Sequence, residues 1–191
     1  IFFLEDGSCD FEKTEMMSRE VLKDLDYAVI PGFYGANGKG ATITFSRGGS
    51  DVTGSLIAAA VHADLYENWT DVSGFLVADP RIVKNPEVID YITYRELREL
   101  SYMGAGVLHE DAIFTVRKEG IPIQIKNTNA TQDHGTMIVA NTLKKPRFII
   151  TGIAGKKNFC SINIEKAMMN AEIGFIRKVL SVIEENGISV E

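Results

Sequence analysis

Six consecutive residues, Ser46-Arg47-Gly48-Gly49-Ser50-Asp51, carry the strongest chemical signal in the chain. They lie between a short β-rich run, Ala41 to Phe45, and a stretch in which Val52, Leu56, Ile57, Ala60 and Val61 mark one helical face. Adjacent glycines let backbone approach a ligand closely, and a helix start directs unpaired N–H groups at an anion. Arg47 can grip a carboxylate or phosphate through two parallel hydrogen bonds, a contact of about 1.5–3 kcal/mol. The spacing fits equally well a tight strand–helix turn in which Ser50 caps the helix and Asp51 sits in its first turn.

The second signal runs from Asn68 to Arg81. Thr70 and Asp71 fall where a strand from Leu65 to Thr70 should end, and open α/β sheets bind ligands at that carboxyl edge. Spacing alone favours a plainer reading, with Asp79-Pro80-Arg81 as a turn and Trp69 as a packing residue. His62, His109 and His134 have no mutual spacing suited to a metal, and Asn127-Thr128-Asn129 reads as a polar turn. No Ser-His-Asp order, Walker loop or GxGxxG fingerprint occurs.

The elements that must position these residues alternate. Strands are expected at Ile1 to Leu4, Tyr27 to Ile30, Ala41 to Phe45, Leu65 to Thr70 and Ile121 to Ile125. Helices are expected from Thr14 to Asp26, after Ser50, from the capping-box pattern Thr93-Tyr94-Arg95-Glu96, and from Glu110 to Lys118 beyond a break at Gly104-Ala105-Gly106. This order implies βαβ units in an α/β protein with a largely parallel sheet covered on both faces. A polar stretch ending at Pro146 marks a linker over 141–146, separating a domain of residues 1–140 from a second, truncated one over 147–191. In that second part, Phe148-Ile149-Ile150 and Cys160 to Ile164 are expected to form a hairpin. An amphipathic helix from Phe175 to Asn186 and a strand from Ile188 should follow.

Composition narrows the partners. The chain of 191 residues has 26 Asp+Glu against 20 Lys+Arg, a net charge of −6. No basic stripe serves a nucleic-acid duplex or an anionic membrane. The longest charge-free apolar run, Val52 to Ala63, falls short of the ~20 residues that a membrane helix needs. Cys9 and Cys160 show no redox or metal spacing, which suits a reducing cytoplasm. The start at Ile1 in strand-like sequence, and the end at Glu191 in another such run, suggest a piece of something longer.

Val29 to Gly35, the Ser46–Asp51 turn, Trp69-Thr70-Asp71-Val72 and Ala78-Asp79-Pro80-Arg81 resemble the aspartokinase family in order and spacing. Gly104 to His109 and Ile125 to Asn129 add to the match, which covers the whole chain. The resemblance implies the later part of a three-layer α/β/α amino-acid kinase domain, followed by the opening of an ACT regulatory domain. It implies ATP-dependent phosphorylation of the side-chain carboxylate of L-aspartate, with Mg²⁺. Within it, Arg47, with Gly48, Gly49 and Ser50, would hold aspartate. Asp51 would order the catalytic site by fixing a lysine outside this chain. Thr70, Asp71 and Arg81 would bind ATP, with Leu76 contacting nucleotide mainly through backbone. Met169, Gly174 and Phe175 would bind an inhibitory amino acid, lysine or threonine, between subunits of a homo-oligomer paired through ACT domains.

This sequence departs from many relatives at Gly106, where they carry a nucleotide-contacting Lys, and at Glu110, where they carry Pro. The family's lysine-bearing Gly-rich loop is not in this sequence, so the 191 residues alone are expected to be inactive. Two other readings fit the same residues: a different amino-acid kinase, and a non-catalytic regulatory subunit that binds amino acids.

Overall fold

A computed structural model describes residues 1–45, 47–102, 108, 110–141, 149–155, 157–158, 160–188 and 190, with Glu110 and Asn170 described through their backbone only. Polar side chains fix the element ends. Asp10 accepts from the Lys13 N–H at 3.0 Å and opens α1 (Phe11–Leu22), while buried Thr14 accepts from the Phe2 N–H of β1 (Phe2–Phe3) at 2.9 Å. β2 (Tyr34–Asn37) and β3 (Thr42–Thr44) form an antiparallel hairpin, and β1 pairs parallel to β2. α2 (Gly49–Ala60) then leads into β4 (Tyr66–Thr70).

The second sheet has the order β4-β6-β7-β5, with β5 at Tyr91–Thr93, β6 at Ile123–Asn127 and β7 at Thr136–Val139. β4–β6 and β5–β7 are parallel and β6–β7 antiparallel, so parallel pairings outnumber antiparallel ones among the described residues. Ile92, Ile123, Ile125 and Ile138 are fully buried and form the centre of the core. Leu97 of α3 (Tyr94–Tyr102), Val116 of α4 (Glu110–Lys118) and Ala58 of α2 close over them. Burying a side chain such as Leu97 stabilises by about 1.5–3 kcal/mol. These three helices therefore anchor to the sheet by their apolar residues rather than by propensity alone.

The capping box at the start of α3 forms as its spacing predicts. Glu96 accepts from the Thr93 N–H at 2.8 Å, and Thr93 Oγ1 accepts from the Glu96 N–H at 3.2 Å. Tyr94, in the first turn, donates to the Ile121 carbonyl from a buried site, and burial pushes its phenol up to about 12.

Three expectations change. Tyr27–Ile30 forms no strand: Val29 is 100% exposed, and no described residue pairs with the segment, so its β-prone sequence has no ladder to join. The expected hairpin also fails in its described part, since neither Ile149–Ile150 nor Cys160–Ile164 is extended into a strand. The Ile153 N–H instead donates to the Val77 carbonyl at 2.8 Å, so this stretch joins the first unit. Ile188 and Val190 form no strand either. The Gly104–Gly106 break and residues 142–148, which hold most of the expected linker, lie outside the described residues.

The chain divides into two compact units, Ile1–Lys156 and Lys157–Glu191. The second holds a short 3₁₀ turn at Met169–Ala171 and α5 (Phe175–Glu185), whose Ile176 and Leu180 stay exposed. No helix among the described residues is long and apolar enough to cross a membrane.

Candidate active site

The start of α2 differs from the capped turn that its sequence suggests. Gly48, not Ser50, is the N-cap residue; it takes a left-handed conformation (φ 62°) and makes no side-chain cap. Ser50 is exposed inside the helix, and Asp51 does lie in the first turn. The first intrahelical donor is the Val52 N–H, bonded to the Gly48 carbonyl at 3.1 Å. The N–H groups of Gly49, Ser50 and Asp51 therefore have no intrahelical acceptor. That leaves an uncapped positive helix end for an anion. Gly49 is buried here, and a Cβ in its place would stand 2.5 Å from Phe45 Cβ, so a larger residue would clash. Arg47 is exposed beside this end and makes no ion pair with another described residue.

β4 carries the other half. Tyr66, Asn68 and Thr70 alternate along one face of the strand. Asn68, 7% exposed, donates from Nδ2 to Asp51 Oδ1 at 3.0 Å and to the Tyr66 hydroxyl at 3.1 Å. The Tyr66 hydroxyl in turn donates to the Asp51 carbonyl at 3.2 Å, and burial raises its pKa. Gly54 makes room for that phenol, since a Cβ there would come within 2.7 Å of the hydroxyl. Asp51 is thus gripped through both backbone and side chain, and its partner Asn68 sits two residues, about 7 Å, before Thr70.

Sequence reasoning placed Asn68 at the head of its second signal without a role and passed over Tyr66. The available signal was an amide in mid-strand, a residue type that strands disfavour, at period two between Tyr66 and Thr70.

At the carboxyl edge, Thr70 pairs with Asn127 of β6. The Thr70 carbonyl accepts from the Thr128 N–H at 2.8 Å and the Thr128 hydroxyl at 3.0 Å, while its own hydroxyl donates to Asp71 Oδ1 at 3.3 Å. Asn127, which the sequence reads as part of a polar turn, is buried and ends the strand. It donates to Ser73 Oγ at 2.8 Å, and Ser73 donates to Asp133 at 2.5 Å. Lys126 is engaged by the Asp133 carbonyl at 2.7 Å and lies over the Trp69 ring at 5.5 Å.

Leu76 and Arg81 follow in the connection to β5. Leu76 forms an isolated antiparallel bridge with Val88, flanked by Ile89 N–H to Phe75 carbonyl at 2.7 Å and Val77 N–H to Glu87 carbonyl at 2.9 Å. The flanking residues make those bonds, so the Leu76 N–H and C=O point away from Val88. Arg81 is 87% exposed and forks onto Asp79, at 3.0 Å from Nε and 2.6 Å from a terminal nitrogen. Hydrogen bonds from Arg81 hold the Asp79 carboxyl below its ordinary value, and Asp79 raises the guanidinium. The structure joins Asp51 to the Thr70 strand, whereas Arg81 is turned onto Asp79.

In the second unit, Gly174 caps α5 in a left-handed conformation (φ 78°) without a side-chain cap, and Lys178 N–H bonds its carbonyl at 3.1 Å. Met169 opens the preceding 3₁₀ turn, and Lys166 lies over the Phe175 ring at 4.8 Å. Glu172 draws in Lys166 and also Lys178, the latter at 2.7 Å.

The chain matches the amino acid kinase family over residues 10–127, more than half its length and including α2, β4 and β6. It belongs to that family. Among similar proteins is Aspartokinase 3 of Bacillus subtilis (strain 168), 47% identical over 171 residues, which covers 89% of this chain and 37% of that protein. A crystal structure of Clostridium acetobutylicum aspartate kinase matches at a TM-score of 0.86 and 60% identity, over 100% of this chain and 44% of that one. E. coli aspartokinase III, solved with aspartate and ADP, matches at a TM-score of 0.70 and 28% identity, over 100% of this chain and 45% of that one. The same enzyme solved with lysine and aspartate matches at 0.66 and 26% identity. This family member thus spans less than half the length of the relatives it matches.

Proposed function

We propose that the protein carrying this chain is an aspartokinase, which transfers the γ-phosphoryl group of ATP to the side-chain carboxylate of L-aspartate. The product is 4-phospho-L-aspartate, the first intermediate on the route to lysine, threonine and methionine. The observation that carries this reading is the uncapped start of α2, with Arg47 beside it, tied through Asp51 and Asn68 to the strand that ends at Thr70. An anion site beside a carboxyl edge suits a carboxylate acceptor next to a nucleotide. The similarity to aspartate kinases on both sequence and structure supports the same choice.

In this reading Arg47 and the N–H groups of Gly49 and Ser50 hold aspartate, and Gly48 keeps the turn open to it. The substrate carboxylate is ionised at neutral pH, so attack needs no general base. One of its oxygens forms a bond to Pγ as the bond from Pγ to the bridging oxygen breaks, and ADP leaves with that electron pair. Such a transfer depends on positioning and charge neutralisation more than on covalent chemistry. Asp51 orders the reacting groups: Asn68 engages one carboxylate oxygen, leaving the other to fix a cation. Thr70, Asp71 and the backbone of Leu76 take the nucleotide, and Arg81 exchanges Asp79 for a phosphate. Among the described residues no three His, Cys, Asp or Glu side chains are grouped to hold a metal. The residues present fit Mg²⁺ as the nucleotide's own counter-ion, because this ion keeps several waters and needs only phosphates and one or two carboxylates. Asp71 is the carboxylate so placed; the ion would supply charge neutralisation.

The second unit would bind lysine or threonine at Met169, Gly174 and Phe175 and pair with its copy, giving a feedback-regulated cytoplasmic homo-oligomer. The domains in this reading are the kinase part over residues 1–140, a linker over 141–146 and the start of an ACT domain from 147, of which residues 157–191 form the second compact unit.

The test is an assay of the full-length protein with ATP, Mg²⁺ and either aspartate, glutamate or a nucleoside monophosphate, following ADP release with each acceptor and trapping acyl phosphate from the two amino acids with hydroxylamine. Aspartyl hydroxamate formed with aspartate alone supports the reading. Turnover confined to another acceptor replaces it with a different amino-acid kinase.

A further inference from the structure

Residues 151–153 lie outside every motif that the proposed function uses, yet they are bonded to two parts of the first unit. The Thr151 hydroxyl donates to Glu96 Oε1 at 2.5 Å. The other oxygen of that carboxylate, Oε2, already accepts from the Thr93 N–H at 2.8 Å and the Thr93 hydroxyl at 2.7 Å. A capping box needs only one carboxylate oxygen, so the Thr151 contact is additional to what holds α3. Gly152 lies close against α3 and the segment before β5: a Cβ there would stand 3.2 Å from Leu100 and 3.4 Å from Ile89. One residue on, the Ile153 N–H donates to the Val77 carbonyl at 2.8 Å.

Val77 adjoins Leu76 and is held on both sides, since its own N–H bonds the Glu87 carbonyl at 2.9 Å. The near end of the same segment is pinned where Gly74 (φ 124°) approaches Thr136 and the Phe75 N–H donates to Thr136 Oγ1 at 2.8 Å. Among the described residues the far end is held through the Val77 N–H by Glu87 and through the Val77 carbonyl by Ile153, so residues 151 to 153 supply one of its two backbone supports.

We infer that Thr151–Ile153 is a strap, docked on the spare oxygen of Glu96, that sets the position of the Leu76–Val77 backbone for nucleotide. Thr151 and Glu96 are then positioning residues for ATP, acting through Val77. The inference rests on the proposed placement of nucleotide at Leu76. Burial would raise the Glu96 carboxyl, but bonds from Thr151 and Thr93 outweigh it, so the dock stays ionised near neutrality. The strap ends shortly before the second compact unit, which begins at Lys157.

Thr151→Val keeps the shape and removes the donor, and Thr151→Ser keeps the donor. Both are to be made in the full-length protein and compared with wild type for ATP and aspartate KM, and for ADP affinity by calorimetry. Thr151→Val should raise the ATP KM and the ADP Kd about three- to tenfold while aspartate KM stays within twofold, and Thr151→Ser should restore both. Equal loss toward both substrates, or no loss, overturns the strap. If wild type forms no phosphoaspartate yet binds ADP, the proposed function fails and the ADP Kd values alone decide the strap. Wild type that binds no nucleotide overturns both.

Discussion

The Asn68 side-chain amide lies 3.0 Å from Asp51 Oδ1, bridging mid-β4 and the first turn of α2. Both residues also engage the Tyr66 hydroxyl, so the contact is one side of a closed triangle rather than a lone bond. The position of the Asp51 carboxylate is therefore set by the sheet and not by its own helix alone.

Replacing Asn68 by Leu keeps the volume but frees that carboxylate. A hydrogen bond to a charged group is worth about 1.5–3 kcal/mol, so kcat of the full-length enzyme should fall roughly 10–150-fold if Asp51 must be held in place. Substrate KM values should change little. A kcat within twofold of wild type would leave Asn68 a packing residue only.

Arg47→Ala should act on aspartate. Loss of the proposed charge-assisted contact predicts a fall in kcat/KM for aspartate of roughly 10–150-fold, with ATP KM nearly unchanged. Steady-state kinetics with each substrate varied in turn checks this, and an unaltered aspartate KM removes Arg47 from the site.

The Glu96 dock gives stability a pH dependence. Its folded pKa lies below the ordinary 4.5, so the folded state binds the proton more weakly than the unfolded chain. The stabilisation is complete above 4.5 and is lost as pH falls through the lower, folded value. Glu96→Gln should thus melt below wild type at pH 7, and the gap in Tm should close on acidification from pH 4.5 downward. A gap independent of pH would assign the loss to packing.

Gly174→Asp should relieve feedback inhibition. Space around Gly174 is open, with only Arg177 Nε at 4.0 Å from a built Cβ, and Asp is a strong N-cap residue. Its carboxylate would occupy the N–H groups that the proposed effector site offers to a carboxylate, at a left-handed backbone cost of about 1–2 kcal/mol. Inhibition curves with lysine and with threonine should shift to higher concentration while uninhibited kcat stays within twofold. Unchanged curves would exclude this helix start.

The periodic segments were legible in the sequence, and the edges were not. α3 was readable because Leu97 and Leu100 stand at helical spacing and Thr93 and Glu96 three apart, and α4 because Gly120 marks its C-terminal end. β2 escaped notice because Tyr34-Gly35-Ala36-Asn37 has no alternating apolar face. Gly35 is needed where a Cβ would lie 2.1 Å from the Ile1 carbonyl oxygen, a tertiary demand without a local signature. Tyr27–Ile30 shows the converse, a strong β pattern without a partner strand. In the site, the Gly-rich turn was visible through its residue types, but which residue caps α2 depends on the backbone angle of Gly48. Asn68 could be placed only once β4 was seen against α2.

The small residue at position 54 has a practical consequence for anyone seeking a more heat-resistant form. Alanine for glycine inside a helix ordinarily gains about 0.5–1 kcal/mol, which makes Gly54→Ala an obvious choice from helix rules. Here the new methyl would displace the Tyr66 ring and loosen its grip on the Asp51 carbonyl. The helix keeps an intrinsically poor residue so that an aromatic alcohol can reach its backbone. Stability screens guided by propensity alone would therefore select against the very geometry that seats the carboxylate.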